Sequence, residues 1–171
     1  MQNKIILASK SKIRKKILDK NNIESIVEPS NVDEEVVKLS LLKEKVSPEI
    51  ISKNLAELKA NKVSLKNTDH IVLGADSVID LDGELISKPE NRKEAIEILK
   101  KLNGKSHFLI SSVCISKNGS MIWNYTDKAK LTMKNFSKNE LEEYLSKISD
   151  ETLYAYNCLL YTSPSPRDGL L

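Results

Sequence analysis

The sequence predicts an α/β or α+β fold with a mixed β-sheet. Apolar runs of strand length alternate with helically spaced stretches through the first half of the chain. Two β-branched and aromatic segments then flank Asn118-Gly119, a dipeptide favoured in tight hairpin turns. Length agrees, because 171 residues suit one domain with a real core and are few for two.

Lys4 to Ala8 reads as a short buried strand, and from Ser9 or Ser11 the spacing of Ile13, Ile17 and Leu18 turns helical, with a serine available as N-cap. Residues 32–46, with Val36, Val37, Leu39, Leu41 and Leu42, support a second helix. Ser47-Pro48 starts a third, running to about Val63: serine caps, proline suits the first helical position, and Ile51, Leu55 and Leu58 follow on one face. His70 to Ala75 and Val78 to Leu81 predict a strand interrupted at Asp76-Ser77, and Asp82-Gly83 a hairpin behind it. Asn91 with Glu94 caps a helix whose apolar face is Ala95, Ile98, Leu99 and Leu102, and Gly104 closes it. Phe108 to Ile115 and Met121 to Met133 are the arms of the long hairpin, with Trp123 and Tyr125 as core or interface packing on one side. Ser137 and Glu140 form a capping box ahead of the inner stripe Leu141, Leu145 and Ile148. Residues 158–171, CLLYTSPSPRDGLL, carry two Ser-Pro steps and no usable period, and neither helix nor strand is expected there.

With 40% apolar and 30% charged residues the chain reads as a globular protein. No apolar run approaches the roughly 18 residues of a membrane span, nor does the N-terminus resemble a secretory signal, so a cytoplasmic location without membrane contact is expected. Cys114 and Cys158 stand far apart, which argues against a disulfide framework, and His70 and His107 have no partner at zinc-ligand spacing. The net charge of +3 arises from 27 basic and 24 acidic residues, and only Lys10, Lys12, Arg14, Lys15 and Lys16 gather locally. A single basic helix face is a poor basis for stable nucleic-acid binding.

Five constellations can carry chemistry. Ser9, Ser11 and Arg14 lie at a strand-to-helix junction, where free amides, hydroxyls and a guanidinium suit a phosphate; an N-cap with a solvated basic face is the plainer alternative. Asp76 in Gly74-Ala75-Asp76-Ser77 breaks an apolar strand, as a metal ligand or proton acceptor or as a turn aspartate. Lys88, fixed before Pro89, suits a point contact to phosphate or simply solvent. The acidic run Asp33 to Glu35 can join a divalent cation's shell or decorate a helix start. Lys59 sits near a buried helix face, where a snorkelling surface lysine is the common case.

Taken in order, these segments resemble the Maf family of nucleoside triphosphate pyrophosphatases. The family's Leu-Ala-Ser-x-Ser-Pro-x-Arg is matched by Leu7, Ala8, Ser9, Ser11 and Arg14, although Lys12 replaces the usual proline and Ile13 a frequent arginine. Gly74-Ala75-Asp76 matches its Gly-Ala-Asp, Ser87-Lys88-Pro89 its Gly-Lys-Pro, Lys59-Ala60 its Lys-Ala and Val32-Asp33-Glu34 its Val-Asp-Glu, and the stretch from Leu99 to Ile115 resembles its Leu-Ser-Gly-x-x-His segment.

The resemblance implies a bilobed single domain of the inosine triphosphate pyrophosphatase-like type, its mixed, curved sheet flanked by helices. It also implies hydrolysis of a nucleoside triphosphate to monophosphate and pyrophosphate with a divalent metal cation, Mg2+ or Mn2+, and often a homodimer. Asp76 is then the presumed proton acceptor and, with Asp33 and Glu34, a metal ligand, while Ser9, Ser11, Arg14, Lys59 and Lys88 receive the triphosphate. The Gly-Ala-Asp-Ser form and the Lys-Pro loop look more like members acting on thymidine and uridine triphosphates than on methylated guanosine triphosphate. The other reading that the resemblance carries is a non-catalytic nucleotide-binding regulator of septum formation. After Asn157 the likeness stops: family members continue through a glutamine-containing stretch and further strands. The expectation is a family domain over residues 1–157 lacking its C-terminal part, with 158–171 a non-family tail.

Overall fold

The computed structural model of the chain describes residues 4–150 and Leu153; the tail from 158 and Cys158 lie outside them. The described residues divide into two compact units, one holding those up to Leu85 together with Phe108–Lys130, the other Ile86–His107 together with those from Leu131 onward.

The first unit begins with β1 (Ile5–Leu7), which continues into the N-cap Ser11 and α1 (Lys12–Lys20). A short strand, β2 (Ser25–Val27), returns parallel to β1, and α2 (Glu34–Lys43) follows with Asp33 as N-cap. α3 (Pro48–Ser64) starts at the predicted Ser47-Pro48 and leads to β3 (Val72–Leu81). β4 (Glu84–Ile86) folds back on β3; α4 (Arg92–Leu102), β5 (Ser106–Lys117), β6 (Ser120–Thr132) and α5 (Lys138–Lys147) complete the described elements. The sheet order is β2-β1-β3-β5-β6, with β4 beside β3. It is mixed, as expected: β1 pairs parallel with β2 and β3, whereas β5 runs antiparallel to β3. In both hairpin turns, Asp82-Gly83 and Asn118-Gly119, the two central residues are left-handed, the geometry that matches strand twist.

The expected interruption at Asp76-Ser77 is absent. β3 runs unbroken and stays in register with β5 from Val72 opposite Ser116 to Asp80 opposite Phe108. A carboxylate is tolerated in mid-strand because a lysine meets it on one face, while Ser77 on the other bonds the Ser111 hydroxyl. Trp123 and Tyr125 also depart from a core role. They are 49% and 57% exposed and stack with ring centroids 6.2 Å apart on β6, the last strand in the sheet order of the described residues.

α3 lies on β3 through small residues. Its buried face is Ile51, Ser52, Leu55, Ala56, Lys59, Ala60 and Val63, while Leu58, expected on that face, is exposed. The approach requires Gly74: a Cβ there would stand 2.2 Å from the Ala56 carbonyl oxygen and 2.7 Å from the Ala60 nitrogen, both backbone atoms of a rigid helix. Gly74→Ala is therefore expected to lower stability by about 1–3 kcal/mol, as overpacking does. Urea unfolding measures it, and a midpoint equal to wild type would show that the helix yields freely.

In the second unit α4 and α5 share a core of Ala95, Leu99, Leu141, Leu145, Ile148 and Leu153. Asn91 caps α4, and Ser137 with Glu140 forms the predicted capping box of α5. Arg92 closes the far end of α5 by donating to the carbonyls of Leu145 and Ile148, each at 2.7 Å.

Candidate active site

The close approach of α3 to β3 places Lys59 against Asp76. Nζ of Lys59 donates to Asp76 Oδ1 at 2.8 Å and stands 2.9 Å from Oε1 of Glu34, in the first turn of α2. Lys59 and Asp76 are each 5% exposed, so this lysine is buried rather than snorkelling to solvent. The other carboxylate oxygen, Oδ2 of Asp76, is buried with no hydrogen-bond partner among the described residues. An unpaired buried oxygen on an ionised group is costly unless something else comes to meet it.

Arg14 approaches from α1. Its Nη1 donates to the Ala75 carbonyl at 2.9 Å and to the Ser9 hydroxyl at 3.0 Å, so the strand-to-helix junction is tied to the backbone beside Asp76. Ser9 Oγ also accepts from the Ser11 amide. Burial draws the Arg14 guanidinium below its ordinary pKa, opposed by the charges of Asp76 and Glu34. Burial likewise pushes the Asp76 carboxyl above the usual carboxylate range. Lys59 draws it back by charge and hydrogen bond and Arg14 by charge, whereas Glu34 adds to the rise.

Ser9, Arg14, Glu34, Lys59 and Asp76 are thus one cluster. Ser11 and Asp33 stand at its border in structural duty, Ser11 accepting from the Arg14 amide as the cap of α1 and Asp33 from the Val36 amide as the cap of α2. Lys88 belongs to the other unit, exposed ahead of the buried Pro89. Ser52 was not foreseen. It is fully buried on α3, and its hydroxyl donates to the Asp76 carbonyl at 3.3 Å; a polar residue within the stripe of Ile51, Leu55 and Ala56 is the signal that could have found it. Ser112, also buried, lies opposite Asp76 in the β3–β5 register and bonds the Thr126 hydroxyl at 2.9 Å.

The donor set suits a hard cation. Asp76 and Glu34 offer carboxylate oxygens, one of them unpartnered, and no larger group of His, Cys, Asp and Glu fit for a metal occurs among the described residues. Mg2+ in particular is commonly held by one or two carboxylates with phosphate and water completing the shell.

The profile of the Maf-like protein family matches residues 4–156. A nucleoside triphosphate pyrophosphatase of Pelagibacter ubique (strain HTCC1062) is 73% identical over 157 residues, covering 92% of this chain and 80% of its own. A 7-methyl-GTP pyrophosphatase of Brucella abortus biovar 1 (strain 9-941) is 33% identical over 90% of this chain and 77% of its own. Among solved structures, a HAM1 protein from Coxiella burnetii aligns with 74% of this chain and 70% of its own at a TM-score of 0.48 and 15% identity. With its motifs in order and its length matched almost throughout, the chain belongs to the Maf family.

Proposed function

We propose that the chain hydrolyses nucleoside triphosphates to the monophosphate and pyrophosphate, with Asp76 as proton acceptor. The observation that carries this reading is the buried, unpartnered Oδ2 of Asp76 on a carboxylate held by Lys59, with Arg14 bonded to the adjoining carbonyl. Such an oxygen, with its proton affinity raised by burial, is suited to take a proton from water. Water attacks the α-phosphorus, the bond from that phosphorus to the bridging oxygen breaks, pyrophosphate leaves, and the water proton passes to Asp76. Arg14 and Lys59 meet the negative charge gathering on the phosphate oxygens, the electrostatic contribution that dominates phosphoryl chemistry. Ser9 and Ser11 complete the anion-binding junction at the start of α1. Lys88 enters from its motif alone. A divalent cation, Mg2+ or Mn2+ on Asp76 and Glu34, supplies Lewis-acid charge when bound. Asp33, beside Glu34, belongs to that ligand set only through its unused oxygen, since Oδ1 caps α2.

A cytoplasmic location and a homodimer belong to the same reading; of the membrane, no described helix is long and apolar enough to cross one. Incubation with Mn2+ or Mg2+ and a panel of UTP, dTTP, ATP and 7-methyl-GTP tests it, with monophosphate and pyrophosphate released in equal amounts and the pyrimidine nucleotides preferred. Nucleotide binding without pyrophosphate would instead favour the non-catalytic regulator.

Arg14→Ala is expected to lower kcat/KM by about 10- to 100-fold, the loss of one or two hydrogen bonds to a charged group. Arg14→Lys should recover little of it, because an ammonium cannot reproduce the guanidinium fork. Steady-state kinetics on the three proteins checks both statements.

A further inference from the structure

With Asp76 and Glu34 as the cation ligands of the proposed function, a reading on which this inference rests, the position between them is already filled by an ammonium of the chain itself. Nζ of Lys59 is 2.8 Å from one carboxylate and 2.9 Å from the other. Both are distances of strong, charge-assisted contacts. An ammonium is a compact charge that can occupy a metal's place without filling its coordination shell, and Oδ2 of Asp76 is left without a partner among the described residues.

Charge then decides what can enter. Asp76 and Glu34 stand against Lys59 and Arg14, so the charges of these four groups balance. A bare dication adds two uncompensated positive charges next to Lys59 and Asp76, which are both buried. A dication arriving on a triphosphate brings its own anionic partner, and the phosphate oxygens offer the ammonium a new place to bind.

We infer that Lys59 is an internal place-holder: its ammonium occupies the cation position of the substrate-free site, excludes a lone divalent metal, and moves onto phosphate when metal and triphosphate enter together. The device makes metal binding depend on nucleotide. It also spares the free enzyme from holding a metal-activated site with nothing to act on.

Titration of the nucleotide-free protein with Mn2+ alone, followed by the electron paramagnetic resonance signal of free Mn2+, tests the inference. Lys59→Met is expected to bind Mn2+ at least about tenfold more tightly than wild type, the effect of removing one adjacent positive charge. Adding Asp76→Asn in that background should abolish the gain. If wild type binds Mn2+ as tightly as Lys59→Met and through Asp76, the place-holder is overturned while the metal reading stands. If neither binds, the place-holder falls while the metal reading stands, because a cation delivered on the triphosphate needs no affinity for the free chain. Should Lys59→Met not fold, Lys59→Gln serves in its place. A measurement on wild type is independent of either variant: the side-chain nitrogen resonance of Lys59 should be unmoved by Mg2+ alone and shifted by Mg2+ with a non-hydrolysable triphosphate. A shift with Mg2+ alone overturns the inference.

Discussion

Asp76→Asn is expected to lower the rate of pyrophosphate release by about 10²- to 10⁴-fold, the loss expected on removal of a positioned general base, while the fold survives. The substitution keeps size and shape in a strand whose neighbours fit closely, and the amide oxygen can still accept from Lys59. Two pH effects separate this role from a structural one. Because burial raises the Asp76 carboxyl above the ordinary carboxylate value of about 3.9, the acidic limb of the wild-type rate profile should lie above that value, activity falling as pH drops and Asp76 protonates. For stability the sign is opposite. A carboxyl whose folded pKa is raised favours folding most below its unfolded value, and that contribution is lost as pH rises through the folded value. Ionised Asp76 therefore burdens the fold at neutral pH, and with Glu34 still paired to Lys59 the asparagine variant should melt close to wild type there. Rate profiles and thermal melts across pH 4 to 8 measure both, and a variant that loses activity only in step with its melting temperature would sink the catalytic assignment.

Much of the fold was legible because its signals are local. Ser11, Ser47, Asn91 and Ser137 cap the helices expected of them, and Asn118-Gly119 makes the expected turn, since a cap or a two-residue turn is specified within a few positions. β2 was missed for the complementary reason: three residues at the edge of a sheet, mostly exposed, carry no period. Asp76 was identified by motif but placed at a break, because a carboxylate in an apolar strand looks like an end until its counter-charge is known. That counter-charge comes from Lys59, 17 positions earlier, which Glu34 in another helix also contacts. Nothing in the spacing of these residues shows that they meet. The small stripe of Ala56 and Ala60 facing Gly74 is what brings helix and strand close enough, and its meaning depends on tertiary contact.

Lys59→Met should be the most destabilising single change in the site, by about 3–5 kcal/mol at pH 7, because it strands a buried charge instead of removing a pair. Methionine is close to lysine in volume, so little of the loss is packing. It comes from Asp76, which keeps its negative charge in a place that is 5% exposed and gains a repulsive neighbour in Glu34 with nothing between them. Protonation is the escape. With its pKa already raised by burial and now relieved of the pull of Lys59, the Asp76 carboxyl takes up a proton as the solution becomes more acid, and the deficit relative to wild type should narrow as pH falls. The double variant Lys59→Met with Asp76→Asn removes both charges and should recover at least half of the lost stability, a coupling that urea unfolding of the four proteins in a double-mutant cycle reads directly. Additivity of the two changes would mean that lysine and aspartate do not depend on each other. The pair would then be incidental to the fold, and the close approach of α3 to β3 would owe nothing to the charge held between them.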